Sequence, residues 1–460
     1  MFDMVEKQNL IVVAVALIFL LIGASIVWFV RPLVEVAPPG WVSPEEHNTV
    51  LDELEDALDA AYQMSPSALE TFRMVVEEPT PDPAEYPFPG MPQSDYTGTL
   101  RVFCWTGLER EDEVWWNNGP WGLNQIYPNV EIEWLYFEDE PDALSKLILD
   151  PDYADVIEVC GGQFKLIDYG LIEPLDPTML PLLAEFFPDW IFFHAFWEDG
   201  ELYAVPFEFG YTSLSYRIDM FEDLGISPSL WDDTAVLFSN ISALEGQIWM
   251  YDSVIEIMDL AASHAGYNLT VEDMIDWTTN DTKFQTVTDT LNGFKPKISN
   301  YYTGVEEAYS ALIAGECAAV IGWCDMYAVA KSGADWEFGT DDDLEVGFSF
   351  FSPMLSWGSA WTINAGLKER DPELYAVAHA YINANAAREP CANKIMEWYT
   401  GAPNRYAYDI VADEFPEFIP IIEELRLDDP AFFAEESAYW IEPPAEVIDE
   451  WEEFWLQFKL

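Results

Sequence analysis

The chain has 460 residues, and its 19 Lys and Arg residues against 84 Asp and Glu residues give a formal net charge of −65 at pH 7. Because contacts to phosphate need basic side chains, this charge excludes nucleic acid and anionic lipid head groups as partners. The composition is 50% hydrophobic, which favours a globular protein with an acidic surface over a disordered chain. The length predicts two or three compact units, and the charge favours a neutral or cationic partner.

An apolar segment near the N terminus predicts a membrane anchor. Residues 10–30 form a run of 21 residues without a charged side chain, which is long enough to cross about 30 Å of hydrocarbon as a helix. A cleaved signal peptide is the rival interpretation, but the run exceeds the usual h-region and no small-residue cleavage site precedes Arg31. We therefore predict a single-pass transmembrane anchor at residues 1–32, with the large remainder of the chain outside the cell.

Residues 33–97 predict a stalk between this anchor and the body. The segment from Ser43 to Glu46 has the pattern of a capping box with a proline at the first helical position, and apolar residues follow at helical spacing. From Glu77 to Tyr96 the chain is rich in proline and acidic residues, which is typical of an extended, semi-rigid linker. The predicted stalk is therefore helical first and Pro-rich later.

From Gly98 onward, short apolar runs alternate with helical stretches. The strand-like runs are TLRVFCW, VEIEWLYF, ADVIEVC and LYAVPF. This alternation predicts an α/β fold with βαβ units and a largely parallel sheet. Ligands of such open sheets bind beyond the carboxyl ends of the strands, where Trp105 and Cys160 fall. We therefore predict that Trp105 contacts a ligand and that Cys160 lies nearby as a thiol without a chemical role.

The sequons indicate where the body is located, and the cysteines bear on metal and disulfide sites. Three glycosylation sequons, at Asn240, Asn268 and Asn280, favour a body outside the cytoplasm. The five cysteines form no CxxC pair and have no histidine at zinc-finger spacing, so no structural metal site is expected. A disulfide between Cys317 and Cys324 stays open, because the sequence does not establish its geometry.

The motifs of the body resemble those of the extracellular solute-binding proteins of ABC transporters, in particular the spermidine/putrescine-binding branch. The similar segments, in the family's order, are LRVFCWTGL, ADVIEVCGGQFKLIDYGLIEPLD, YAVPFEFGYTSLSYRID, LEGQIWMYDSVIEIMDLAASHAGYN, LIAGECAAVIGW, SWGSAWTIN, AYINANAAREPCA and GAPN. The resemblance implies an α/β, two-lobed periplasmic-binding-protein fold of type II that closes over its ligand by hinge motion. It implies a lobe 1 at 98–210 plus 358–404 and a lobe 2 at 211–357 plus 405–460, with ABC permease subunits as partners.

The resemblance also implies a cleft in which carboxylates bind ammonium groups and aromatic faces bind the methylene chain of a polyamine. The predicted ligand-binding residues are Trp105, Cys160, Glu256, Trp323, Asp325, Trp357, Ser359 and Tyr399. The three tryptophans and Glu256 match the family's pocket residues, Asp325 is displaced by one position, and Tyr399 matches if one residue is inserted. Ser359 stands where the family usually carries an aspartate, and Ser253 replaces another acid. Fewer carboxylates suit a singly charged or neutral polar ligand better than a tricationic one, because an unpaired buried ammonium is costly.

The sequence does not predict catalysis. The four histidines are scattered, and neither a G-x-S-x-G motif nor a phosphate-binding glycine loop is present. Acid pairs such as Glu138 and Asp139 could flank a glycosidic bond, but such pairs arise by chance in a chain with 84 acids.

We therefore predict a membrane-anchored extracellular solute-binding protein of an ABC importer that captures a polyamine or a similar small cationic or polar solute, without a cofactor or metal. The alternative is a cell-surface sensor, adhesin or structural envelope protein built on the same fold. A structural role would involve self-association and no small ligand.

Overall fold

The computed structural model describes residues 91–460 apart from short gaps. The gaps lie at residues 93, 106–115, 118, 138–139, 162, 188–195, 199, 232–240, 336–337, 339, 341–342, 352–353, 430–431, 434–436, 440–442 and 444. The predicted anchor and nearly all of the predicted stalk therefore lie outside the described residues. Within the part of the chain that is described, no helix has the length and apolar character needed to span a bilayer.

Most of the strands belong to one mixed sheet. The strands are β1 Gly98–Trp105, β2 Val130–Phe137, β3 Val156–Val159, β4 Ile172–Glu173, β5 Trp197–Glu198, β6 Glu201–Leu202, β7 Val205–Arg217, β8 Ile248–Tyr251, β9 Ile298–Tyr302, β10 Ala319–Trp323, β11 Val346–Phe350, β12 Met354–Asn364 and β13 Ser437–Tyr439. The main order is β2-β1-β3-β12-β7-β10-β8-β9, with β11 on β7 and with β4 and β13 on β12. At one end of the sheet β2, β1 and β3 are parallel, and at the other end β10, β8 and β9 are parallel, as predicted. In the middle, β12 and β7 are antiparallel to each other and to the adjacent strands β3 and β10.

Helices cover both faces of the sheet. The helices are α1 Leu123–Ile126, α2 Glu140–Leu149, α3 Gln163–Asp168, α4 Ile218–Asp223, α5 Val254–His264, α6 Val271–Thr279, α7 Asp281–Phe294, α8 Val305–Ala314, α9 Asp325–Lys331, α10 Leu367–Arg370, α11 Pro372–Asn385, α12 Arg388–Trp398, α13 Ala407–Glu414, α14 Ile419–Leu425 and α15 Ala445–Lys459. The side chains of Ser253, Asn280 and Asp371 each accept a hydrogen bond from a backbone N–H in the first turn of a helix. These caps satisfy donors that a helix start otherwise leaves unpaired.

Two long central strands connect the two halves of the sheet. The strand β7 has 13 residues and β12 has 11. On one side β12 pairs with β3, and on the other side β7 pairs with β10. Between these regions β7 and β12 pair with each other, so that Trp357 lies opposite Gly210. These two strands thus connect two α/β lobes, which is the two-lobed arrangement that the resemblance implies. The borders of the lobes, including the one near Asn404, stay a prediction.

Two hydrophobic cores flank the sheet. The first is centred on Phe103, Val156 and Tyr381, and the second on Leu214 and Met258. Nearly every residue of β7 is buried, as expected for a strand that is covered on both faces. The helices α13 and α14 contribute to the first core and α15 to the second, so the predicted lobe 2 segment 405–460 contributes to both.

The C-terminal helix α15 closes the second core. Trp451 is fully buried and stacks on Trp277, with 4.9 Å between the ring centroids. Its indole Nε1 donates a hydrogen bond of 2.8 Å to the hydroxyl of Thr278. At the end of the helix, Lys459 Nζ lies 2.7 Å from a carboxylate oxygen of Asp252. Aromatic stacking, a satisfied indole and an ion pair therefore hold the last helix against the second lobe.

We expect Trp451→Ala to lower the free energy of unfolding by about 3–5 kcal/mol, because it removes a fully buried ring and leaves a cavity. Chemical denaturation of the full chain measures this change. Leu456→Ala is the control, since its side chain lies on the same helix and is 65% exposed. It is expected to change stability by at most about 0.5 kcal/mol, and equal effects of the two substitutions would contradict the packing described above.

Candidate functional site

Two of the predicted tryptophans meet in the middle of the sheet. The ring centroids of Trp323 and Trp357 are 6.1 Å apart, and those of Trp323 and Tyr251 are 5.4 Å apart. Trp323 pairs with Thr212 on β7, and Trp357 pairs with Gly210 on the same strand. Because paired residues of neighbouring strands point to the same face, both rings lie on one face of the sheet. All three aromatic side chains are half-buried, and we call this set of partly exposed rings the aromatic floor.

Glu256 lies beside this aromatic floor, in the first turn of α5. It is only 8% exposed, and its Oε1 accepts a hydrogen bond of 3.1 Å from the indole of Trp323. Burial raises the pKa of Glu256 to about 7, and the hydrogen bond from Trp323 offsets only part of this effect. None of the cationic side chains that the structure describes contributes to this pKa. Glu256 is therefore a desolvated carboxyl group whose ionised form lacks a counter-charge from the protein.

A second acid, Asp259, lies one helical turn further along α5. It is fully buried, and neither of its carboxyl oxygens has a hydrogen-bond partner among the described residues. Burial, together with the nearby charge of Glu256, raises the pKa of Asp259 well above its usual range. Sequence reasoning missed this residue. Its spacing of three from Glu256, in a helix with many apolar side chains, is the signal that could have identified it.

Asp325 lies two residues after the end of β10 and is the first residue of α9. Its carboxyl group is 7% exposed, accepts a hydrogen bond from the hydroxyl of Tyr309, and has one oxygen, Oδ1, without a partner in the described residues. Burial raises the pKa of Asp325 to about 6. Hydrogen bonds from Tyr309 and from the backbone N–H groups of Asp325 and Met326 offset part of this shift, and the charge of Glu208 makes a smaller contribution that raises the pKa. Asp325 is thus a second predicted site residue that is buried without a nearby cation.

Ser359 lies opposite Glu208 in the pairing of β12 with β7. Both are buried, with 5% and 4% exposure. The hydroxyl of Thr400 lies 3.5 Å from Glu208 Oε2. Although Ser359 stands where the resemblance implied an aspartate, a carboxylate is therefore present on the neighbouring strand. Sequence reasoning missed Glu208, whose only local signal is a single acid in the apolar run VPFEFGY.

Trp105 and Cys160 lie at the carboxyl ends of the parallel strands β1 and β3, as predicted. Trp105 is half-buried and packs against Phe137, with 5.1 Å between the ring centroids. Its backbone N–H donates a hydrogen bond of 3.1 Å to the buried carboxylate of Glu158. Cys160 is also half-buried, and no described ring contact joins Trp105 to Trp323. The ligand contacts of Trp105 and Cys160 therefore stay predictions.

Tyr399 is placed differently from the other predicted site residues. It ends α12 in a left-handed conformation with φ of 56°. Its ring packs against Phe338 and Phe418, with centroid distances of 5.7 and 4.9 Å. None of the described contacts joins it to Trp323 or Glu256, so its role in ligand binding stays a prediction.

The predicted sequons that the structure describes lie at exposed positions, whereas Cys324 of the possible disulfide lies between Trp323 and Asp325. Asn268 and Asn280 are exposed, and the Asn280 side chain also caps α7. Asn240 lies outside the described residues, and glycosylation of all three stays a prediction. Every cysteine of the chain is a thiol, so the structure does not contain the disulfide between Cys317 and Cys324 that the sequence left open.

We expect Gly210→Ala to displace the ring of Trp357 and to destabilise the protein by about 1–3 kcal/mol, as overpacking does. A Cβ atom at this position would lie 2.4 Å from Cζ2 of Trp357. Tryptophan fluorescence and chemical denaturation measure the two effects. Gly293→Ala in α7 is the control, because no atom lies within 4 Å of its added Cβ. The contact is contradicted if both variants keep the wild-type spectrum and stability.

We expect Glu256→Gln to stabilise the ligand-free protein by on the order of 2 kcal/mol at about pH 8 and to have little effect near pH 5. The folded pKa of about 7 exceeds the ordinary value of 4.5. Between these values the folded state retains a proton that the unfolded state loses, so wild-type stability falls as pH rises through this window. Thermal unfolding against pH measures the difference. Glu272→Gln, at an exposed position of α6, is the control, and equal effects of both variants would contradict the burial of an unpaired charge.

Solved structures with a similar fold include substrate-binding proteins of ABC transporters. A putative spermidine/putrescine ABC transporter protein from Listeria monocytogenes has a TM-score of 0.59 at 18% identity, covering 79% of this chain and 99% of that chain. The spermidine/putrescine substrate-binding protein PotD from Streptococcus pneumoniae has a TM-score of 0.57 at 15% identity, with coverages of 79% and 99%. The protein MotA from A. tumefaciens B6, solved in complex with glucopine, has a TM-score of 0.53 at 16% identity, with coverages of 79% and 100%.

At these identities the structural likeness shows the fold. A comparison of the sequence with curated proteins gives no match. The family model described as bacterial extracellular solute-binding protein matches residues 123–432. This match confirms the predicted family, and the chain belongs to the bacterial extracellular solute-binding proteins.

Proposed function

We propose that this chain is the extracellular receptor of an ABC importer and that it captures a polyamine, such as spermidine or putrescine, or a similar small cationic solute in the cleft between its lobes. One observation carries the proposal: Glu256 is buried beside the half-buried rings of Trp323 and Trp357, and it has no cationic partner in the described part of the chain. An ammonium group would supply the missing counter-charge, and the rings would supply apolar area and cation–π attraction. The spermidine/putrescine names of two structural neighbours agree with this ligand class.

The fold provides the means of capture. Because β7 and β12 both pass between the lobes, bending of these strands would open and close the cleft by a hinge motion. A solute held by Glu256 and the tryptophans would favour the closed form, which ABC permease subunits would then receive. The predicted anchor at residues 1–32 would keep the receptor at the outer face of the cell membrane. The site residues bind and orient the solute without a chemical step.

Solute binding and protonation compete at this site. Burial raises the pKa of Glu256 to about 7 and the pKa of Asp325 to about 6. An ammonium group binds the ionised carboxylate and stabilises it against protonation. Below neutral pH, each solute that binds at Glu256 must therefore displace a proton.

We expect the affinity of the full-length protein for putrescine to rise at least about tenfold between about pH 5.5 and pH 8, because the fraction of ionised Glu256 rises through this range. Calorimetric titration at several pH values measures the affinity. Titration in buffers with different ionisation enthalpies measures the protons released.

Glu256→Gln is the matched variant for this experiment. It is expected to bind putrescine more weakly and to lose most of the pH dependence. A wild-type affinity that does not change with pH would contradict the role of Glu256. A protein that binds no amine at any pH would contradict the proposed function and would favour a structural or sensing role.

A further inference from the structure

The two faces of β7 have different neighbours at the border between the lobes. Gly210 faces Trp357 on the side of the aromatic floor. Because side chains alternate along a strand, Phe209 and Tyr211 point to the opposite face, which we call the back of the hinge. Tyr211 is the last residue of β7 that pairs with β12, and the pairing with β10 begins at the next residue. The border between the lobes therefore lies at Tyr211.

The helix α14 and the residues that follow it cover the back of the hinge. The hydroxyl of Tyr211 donates a buried hydrogen bond of 3.0 Å to the backbone oxygen of Leu425, the last residue of α14. Further along the chain, the ring of Phe433 packs on the ring of Tyr211, with 5.6 Å between the centroids. We call residues 419–429 the back strap. The back strap thus crosses the border between the lobes on the side opposite to the aromatic floor.

The back strap is attached to lobe 1. The hydroxyl of Tyr408, on α13, donates a hydrogen bond of 2.7 Å to the backbone oxygen of Leu427. The ring of Phe418, directly before the strap, lies 4.9 Å from the ring of Tyr399 at the end of α12. The helices α12 and α13 pack against each other, and α12 belongs to the predicted lobe 1. We therefore expect the back strap to move with lobe 1.

A polar cluster joins the back strap to lobe 2. Glu424 accepts a hydrogen bond from the hydroxyl of Tyr327, and its Oε2 lies 3.2 Å from Nζ of Lys331. Lys331 Nζ also donates a hydrogen bond of 2.6 Å to the Tyr327 hydroxyl. Tyr327 and Lys331 lie on α9, which follows β10 of lobe 2, and the ring of Tyr327 packs on Phe348 of β11 at 4.9 Å. Each of the three polar groups thus contacts the other two, and we call this cluster the back latch.

Closure of the cleft would separate the groups of the back latch. The cleft lies on one face of β7 and the back strap on the other. A rotation about the border that brings the lobes together over the aromatic floor therefore moves them apart at the back of the hinge. We propose that the back latch of Glu424, Tyr327 and Lys331 opposes closure and so sets the affinity of the cleft for its solute from the opposite side of the hinge. This proposal rests on the proposed function, and it concerns the regulation of the same site.

The back latch acts through the balance between the open and closed forms. The apparent affinity of a receptor is its intrinsic affinity reduced by the fraction of molecules in the binding-competent form. Contacts that favour the open form therefore weaken the binding of every solute by the same factor. The side chain of Glu424 is 47% exposed, and solvent screens a charge pair at such a position. The expected factor is therefore modest.

The first test is calorimetric titration of the full-length protein with putrescine at about pH 8. Glu424→Ala and Tyr327→Phe each weaken the back latch, and each should bind putrescine roughly three- to tenfold more tightly than the wild type. The affinity for 1-aminobutane should rise by the same factor, because neither residue touches the solute. Combining the two substitutions should add little to either one, since both act on the same cluster. Glu423→Ala is the matched control, because it removes an exposed acid from the same helix, and it should leave both affinities unchanged.

The second test measures the separation of the lobes. Double electron–electron resonance of the full-length protein uses nitroxide labels at Leu149→Cys in α2 and Glu272→Cys in α6, two exposed positions of different lobes. Without solute, Glu424→Ala should shift the distance between the labels toward the value of the wild type saturated with putrescine. Proteins that carry one label each correct for labelling of the native thiols. Thermal unfolding of each variant establishes that it is folded.

The outcomes separate the two proposals. If the wild type binds putrescine while both latch variants bind it with unchanged or lower affinity, the back latch is overturned and the proposed function stands. Tighter binding without a change in the distance between the labels overturns the back latch as well. If the wild type binds neither amine, the proposed function fails, and an unchanged solute-free distance in Glu424→Ala then overturns the back latch independently.

Discussion

The pairing of β7 with β12 determines where every part of the cleft lies. It places Trp357 on Gly210 and Ser359 beside Glu208, and only a residue without a side chain at position 210 leaves space for the indole. Because side chains alternate along a strand, a shift of one residue would turn Phe209 toward the cleft in place of the glycine and the glutamate. The register of two strands thus fixes the aromatic floor and the position of Glu208 together.

Charge pairing distinguishes structural acids from those of the cleft. The buried Asp155 forms an ion pair with Arg101, and the buried Glu185 forms one with Arg388. Leaving one partner of such a pair alone in the interior is strongly destabilising. Glu256 is nevertheless buried with no cationic contribution to its pKa. Among the described residues Glu256 thus has no counter-charge, and under the proposed function the ammonium group of the solute supplies one.

The sequence predicted individual strands and helices better than it predicted which strands pair with each other. The apolar runs identified β1 and β2, and the order of motifs identified Trp323, Trp357 and Glu256 as neighbours. The pairing of β7 with β12 joins segments that are about 150 residues apart, and no local periodicity encodes such a contact. Glu208 and Asp259 were missed for a related reason. In a chain with 84 acids, burial alone separates these two from surface carboxylates, and burial is a property of the tertiary fold.

The two acids of α5 also limit how much charge the second lobe offers to a solute. Burial raises the pKa of Glu256 to about 7, and burial together with the charge of Glu256 raises the pKa of Asp259 well above its usual range. A charge on Glu256 therefore disfavours ionisation of Asp259. The start of a helix also favours a negative charge at Glu256, since the backbone N–H groups of the first turn point toward it. Because a charge on one of these acids disfavours a charge on the other, the pair suits a solute that brings one cationic group to this end of the proposed cleft.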